Sequence, residues 1–245
     1  MKYILNRKLN LSYHYGDGKA VLGIVGVFNM SQDMITKFFN LVDSDNITVK
    51  EKNNALWVFS KCHFRFLKYP HWEETELNLK TFFTDISSIK TVAETTCCDD
   101  NNELVFIGIT EGCVIDINTR NIRRISTISF KDDAEPSESS YPLTFNNLNK
   151  ITFQESDYVK DVKVEYTDTD FSAHTNNVSY VRYCINTFSR DYYMEKDIED
   201  FEIHFKHESH WGETLKIYRK TEGNNVFFLI KKDEIEIIRA SMIIK

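Results

Sequence analysis

The chain has 245 residues, 42% hydrophobic and 27% charged, with a net charge of −7. That balance describes a globular protein able to bury a sizeable core in one large or two modest domains, and the acidity argues against general nucleic-acid binding. No apolar run has the length of a membrane span, and residues 1–8 lack the apolar core of a secretory signal. Five cysteines, an odd count without metal-ligand spacing, point to free thiols in a reducing compartment, so a cytoplasmic protein without metal or cofactor is expected.

In chain order, apolar residues alternate across residues 3–15 and predict a strand, followed by a turn at Gly16-Asp17-Gly18. Residues 22–28 lead into Ser31-Gln32-Asp33, which reads as a helix start, and Met34, Ile35, Phe38, Phe39 and Val42 then form a helical stripe. Residues 56–66, 76–83, 90–98 and 104–116 alternate β-branched and aromatic residues with polar ones and predict four strands. Residues 131–148 are polar and proline-containing, the best candidate for a linker between a first domain, 1–130, and a second, 149–245.

The second domain repeats the pattern. Residues 151–166 predict a strand, 176–190 a helix, and 202–206, 214–220, 226–231 and 235–244 four more strands. The repeat is visible in the letters: His71-Trp72-Glu73-Glu74-Thr75 recurs as His210-Trp211-Gly212-Glu213-Thr214, and 211 − 72 gives an offset of 139. Ser31–Asp33 is set against Thr175–Asn177 at a slightly larger offset. One helix and a run of antiparallel strands, twice over, is an α+β chain in which each long helix lies across one curved sheet.

The chemistry gathers between the strand and helix of the second domain. Asp170, Ser172 and His174 are two apart, so an extended loop would present them on one side. Thr175, Asn176 or Asn177 could cap the helix that follows, and a helix N-terminus suits a developing oxyanion. The bland alternative is a turn built from ordinary loop residues.

Asp168-Thr-Asp170-Phe-Ser172-Ala-His174-Thr-Asn176-Asn177-Val178-Ser-Tyr180 resembles the second-half motif of the acyl-ACP thioesterases, Asp-x-Asp-x-Asn-x-His-Val-Asn-Asn-x-x-Tyr. The departure is Ser172, where the family carries Asn. Residues 118–125 also resemble the Thr-Arg-Arg segment that closes the family's first half. The resemblance implies two tandem hotdog units with their sheets joined as an intrachain pseudo-dimer. It implies Asp170, Ser172, His174 and Glu208 as catalytic residues, with Asn176 and Asn177 at the oxyanion site. The partner it implies is acyl carrier protein bearing a fatty acyl-phosphopantetheine, docked on basic residues among Arg120, Arg123, Arg124, Arg182 and Lys206. At offset 139, Tyr69 stands for Glu208, and the first helix start shows no counterpart of Asp170 or His174. One site per chain, in the second half, is therefore expected. An acyl-CoA thioesterase, a non-catalytic acyl-binding protein and a hydro-lyase of related fold are the alternatives.

Overall fold

The computed structural model describes residues 3–72, 76–128, 130–131, 134–139 and 141–245. Glu73, Glu74 and Thr75 of the repeat, and residues 132, 133 and 140 of the expected linker, lie outside the described residues. The chain forms two compact units, residues 1–16 with 20–144 and residues 17–19 with 145–245.

The first unit contains β1 (Leu5–Asn10), a 3-10 turn (Tyr13–Tyr15), α1 (Ile24–Leu41), α2 (Asn46–Asn53), β2 (Ala55–Phe66), β3 (Glu76–Ile86), β4 (Lys90–Cys98), β5 (Leu104–Asp116) and the short β6 (Ile122–Arg123). Its strands are antiparallel in the order β1-β3-β4-β5-β2, with β6 on β5. The stripe expected on α1 packs on the sheet: Ile35, Phe38 and Phe39 share a core with Trp57, Phe83, Ala93 and Val114. Gly108 in β5 is required by this packing, because the Phe64 ring occupies the space where a Cβ would stand, 2.0 Å away.

Three expectations are corrected here. The first strand covers Leu5–Asn10 only, and Tyr13–Tyr15 coil into a 3-10 turn. Ser31-Gln32-Asp33 sits inside α1, which begins at Ile24; Ser31 is buried, and residues 24–28 are the helix's first apolar turns. A short apolar run does not distinguish a strand from a buried helix, which is how the start was misplaced. The unit also has a second helix, α2, capped by Asp45 accepting from the Ile47 and Thr48 N–H groups.

The second unit contains β7 (Tyr158–Lys163), a 3-10 turn (Tyr166–Asp168), α3 (Asn177–Ile185), α4 (Arg190–Glu195), β8 (Ile198–Phe205), β9 (Thr214–Glu222), β10 (Asn225–Lys232) and β11 (Ile235–Ile244). Its order, β8-β11-β10-β9-β7, repeats that of β2-β5-β4-β3-β1. The strand expected over 151–166 shrinks to β7, because 3-10 turns take residues 155–157 and 166–168. The helix expected over 176–190 divides into α3 and α4, the latter capped by Ser189. Each unit is thus hotdog-like, a five-stranded antiparallel sheet carrying one main helix.

Candidate active site

Between β7 and α3 the chain reverses. The Asp170 N–H donates to the His174 carbonyl at 2.9 Å, and the Ala173 N–H to the Asp170 carbonyl at 3.0 Å. Ala173 takes the left-handed conformation, φ 64°, which closes the turn. The expected extended loop is therefore a tight turn, and the turn, not strand alternation, gathers the side chains. Asp170 Oδ1 accepts the Ser172 N–H at 2.8 Å and the Ser172 hydroxyl at 2.5 Å. Ser172 Oγ also lies 3.1 Å from His174 Nδ1. With its proton given to Asp170, Oγ accepts from Nδ1–H, and Nε2 is left to face outward.

What Nε2 faces is Glu208. His174 and His210 form an antiparallel bridge, and the Thr175 N–H donates to the Ser209 carbonyl at 2.8 Å. This backbone pairing brings Glu208 Oε2 to 3.5 Å from His174 Nε2, across thirty-four residues of sequence. The His174 side chain is 24% exposed and that of Glu208 38%, so water reaches both. The His210 ring lies 5.0 Å from the His174 ring, centroid to centroid. The His210 backbone N–H donates to Glu213 Oε2 at 3.0 Å. Burial pushes the Glu213 carboxyl up, but hydrogen bonds from Lys232 and His210 outweigh it and hold the group below its usual range.

α3 starts at the same place. Of the three candidate caps Asn176 is the one used, its Oδ1 accepting the Val178 N–H at 2.9 Å, and Asn177 is the first helical residue. A helix of nine residues thus opens beside the turn, its first N–H groups unpaired by the helix itself. Among the described residues no group of three His, Cys, Asp or Glu side chains is arranged to hold a metal. His204 pairs with the buried Glu202 at 2.6 Å, and His207 Nδ1 lies 2.8 Å from the Glu236 carbonyl. Cys184 is buried in α3, and burial pushes its thiol up, as suits a core residue.

The basic residues fall in both units. Arg120 and Arg124 are exposed, Arg123 bonds to the Asn53 carbonyl, and these three belong to the first unit. In the second, Arg182 donates to Ser179 Oγ at 3.0 Å and Lys206 to Glu236 at 2.9 Å and Asn149 at 2.6 Å. Sequence reasoning also missed residues. Asp17 is a counterpart of Asp170, its Oδ1 accepting the Lys19 N–H at 2.8 Å as Asp170 accepts that of Ser172. The missed signal is the spacing Tyr13-x-x-x-Asp17-x-x-Ala20, which recurs as Tyr166-x-x-x-Asp170-x-x-Ala173 at an offset of 153, not 139. Thr175 and Tyr180 figured in the sequence only as a candidate cap and as the last residue of the motif, and nothing there joined them to Ser209.

The turn, the start of α3 and Glu208 thus come together within the second of two hotdog-like units. Residues 152–242 match the sequence model of the acyl-ACP thioesterase C-terminal domain. No curated protein matches the chain by sequence. Among solved structures, an acyl-ACP thioesterase from Bacteroides thetaiotaomicron is similar at TM-score 0.89 and 18% identity, covering 99% of this chain and 98% of that one. A 12:0-ACP thioesterase from Umbellularia californica is similar at TM-score 0.79 and 17% identity, covering 99% and 97%. Among the described residues no helix is long and apolar enough to cross a membrane.

Proposed function

We propose that the protein hydrolyses fatty acyl thioesters of acyl carrier protein in the cytoplasm, releasing free fatty acid for lipid metabolism. Water adds to the thioester carbonyl, the C–S bond breaks, and the products are a carboxylic acid and the carrier's phosphopantetheine thiol. Glu208 and His174 Nε2 polarise the attacking water, Glu208 taking its proton. Asp170, acting through Ser172, fixes the His174 ring so that Nε2 and not Nδ1 meets the water. At the start of α3 the Asn177 N–H receives the oxyanion, since the Asn176 N–H is already given to the Asp168 carbonyl at 2.8 Å and Asn176 serves as the cap. The proton held by the carboxylate and imidazole leaves on the thiolate. The observation that carries this reading is the 3.5 Å approach of His174 Nε2 to Glu208 Oε2.

The first unit shapes the acyl pocket in this reading, and the two units act as an intrachain pseudo-dimer split by the 131–148 linker. The repeated strand order supports that view. Arg120, Arg123, Arg124, Arg182 and Lys206 are the docking candidates for the acidic carrier. A net charge of −7 works against that carrier and keeps acyl-CoA as a competing substrate. The experiment is thiol release from matched acyl-ACP and acyl-CoA panels, comparing wild type with Asp170→Asn and Glu208→Gln. Faster release from acyl-ACP, lost in both variants, is expected; release unchanged in Glu208→Gln overturns the mechanism, and preference for acyl-CoA overturns the carrier.

A further inference from the structure

Beneath the Asp170–His174 turn lies a closed circuit of hydroxyls. Ser209 is fully buried, Tyr180 is 3% exposed and Thr175 5%. The Ser209 N–H reaches Tyr180 Oη at 3.2 Å, and that oxygen is 2.8 Å from Ser209 Oγ. Ser209 Oγ is 2.7 Å from Thr175 Oγ1, and the Thr175 hydroxyl donates to the Ser209 carbonyl at 3.0 Å. One direction of donation satisfies every group: Ser209 N–H to Tyr180, Tyr180 O–H to Ser209, Ser209 O–H to Thr175, Thr175 O–H to the Ser209 carbonyl. A buried polar network with no donor left over is rigid, whereas a half-satisfied one is costly. Burial pushes the Tyr180 phenol up, which keeps it a donor.

Thr175 follows His174, and Ser209 follows Glu208. The circuit therefore fastens the two peptides whose side chains meet at the site. The first unit supplies an internal control. There the Leu22 N–H donates to the Pro70 carbonyl at 2.9 Å, as the Thr175 N–H does to Ser209. Thr175 and Tyr180 correspond to Leu22 and Val27 at offset 153, and Ser209 to Pro70 at offset 139. The same turn and the same backbone bond thus form with no hydroxyl at any of the three places. Folding of the turn does not require them.

We propose that Thr175, Tyr180 and Ser209 are positioning residues for thioester hydrolysis, holding the Glu208 carboxylate at its working distance from His174. This rests on the assignment of Glu208 and His174 made above. Displacing a reacting group by about 1 Å costs on the order of 100-fold in rate.

The test uses the full chain with Thr175→Val, Ser209→Ala and Tyr180→Phe, and Thr175→Ser as the conservative control, each also built on Glu208→Gln. Circular dichroism and thermal melts confirm folding, and kcat and KM are read from thiol release. Folded single variants are expected to lose roughly 10- to 100-fold in kcat with KM nearly unchanged, and Thr175→Ser to stay within about 3-fold of wild type. On the Glu208→Gln background the same substitutions are expected to cost less than about 2-fold, because no carboxylate remains to be positioned. Full kcat in the folded single variants overturns the proposal, as does an equal loss with and without Glu208. An active Glu208→Gln enzyme overturns the assignment of the carboxylate itself, and the positioning role with it. That result is distinct from Glu208→Gln failing while Thr175→Val works.

Discussion

Residues 13–22 and 166–175 trace the same turn 153 positions apart, and they differ in what they carry. Both begin with a 3-10 turn, Tyr13–Tyr15 and Tyr166–Asp168. Both close through a bridge, Gly16 with Leu22 and Thr169 with Thr175, and both put an alanine in the left-handed region, Ala20 at φ 60° and Ala173 at φ 64°. Both hang the turn on an aspartate that accepts the N–H two residues on, Asp17 and Asp170. The first carries Lys19 and Val21 where the second carries Ser172 and His174, and Tyr69 where the second carries Glu208. Even the helix approach differs. A Cβ on Gly26 would stand 2.2 Å from the Tyr15 carbonyl, whereas its counterpart Ser179 stands off and donates its hydroxyl to the Asp168 carbonyl at 3.0 Å. The lesson is that the aspartate serves the turn in both copies of the repeat, and the first copy shows the frame folding without the relay and the carboxylate.

That contrast is broken most severely by His174→Val, which gives the second turn the residue of the first. Val21 forms the same bridge to His71 that His174 forms to His210, so the fold survives. Loss of a positioned acid–base group is expected to cost about 10²–10⁴ in kcat, read by thiol release. A folded His174→Val enzyme of normal rate removes the histidine from the mechanism.

Ser172 comes next. Its hydroxyl joins Asp170 to His174, so Ser172→Ala cuts the relay while the Asp170 contact to the residue-172 N–H persists. A loss of roughly 10- to 100-fold in kcat is expected, below the cost of a full oxyanion donor. Ser172→Asn offers an acceptor to Nδ1–H and a donor to Asp170, and should hold or raise the rate. A lower rate in Ser172→Asn shows that the serine is not standing in for the family's amide.

The helix starts give a smaller, purely structural contrast. α3 is capped by the Asn176 side chain, whereas α1 starts at Gly23 with no side-chain cap. Asn176→Ala should lower stability by about 1 kcal/mol, and Asn176→Gly by a few tenths. Thermal melts of the two variants decide it, and an Asn176→Gly melt as low as that of Asn176→Ala contradicts the expected role of the cap.

Much of this was legible because half-buried strands write their alternation into the sequence. The run 56–66 became β2 at Ala55–Phe66, and 90–98 and 104–116 became β4 and β5 unchanged. The Asp170–Asn177 segment stood out through its resemblance to a family motif, because aspartate, serine, histidine and asparagine are by themselves ordinary turn residues. What failed did so for physical reasons. α1 begins at Ile24 behind Gly23, which offers no capping side chain to read, while the polar Ser31-Gln32-Asp33 imitates a start from within the helix. The 139-residue offset of the tryptophans hid Asp17, since the first copy has fourteen more residues between turn and tryptophan, most of them in a longer α1 and a longer β2. The hydroxyl circuit joins Thr175, Tyr180 and Ser209 through chain pairing, and no spacing announces it.

The smallest effects are electrostatic, and they set one glutamate of each unit against the other. In the second unit, hydrogen bonds from Arg239 hold the Glu236 carboxyl down at about 2, against 4.5 for a free glutamate. In the first, burial pushes the Glu94 carboxyl up. The signs follow from linkage. Glu236 contributes stability above its unfolded value of 4.5, and that contribution fades as pH falls from 4.5 toward 2. Ionised Glu94 opposes folding above its raised value, and the penalty vanishes once acid protonates it in both states. Glu236→Gln should therefore lower the denaturant midpoint at pH 7 and close on wild type as pH falls from 4.5 toward 2. Glu94→Gln should raise the midpoint at pH 7 and converge from the other side. Glu236 and Arg239 partly face solvent, which screens their contribution, and it is the opposite approach to wild type that carries the test. Midpoints for both variants that run parallel to wild type from pH 7 to pH 3 show that neither carboxyl is shifted by its surroundings.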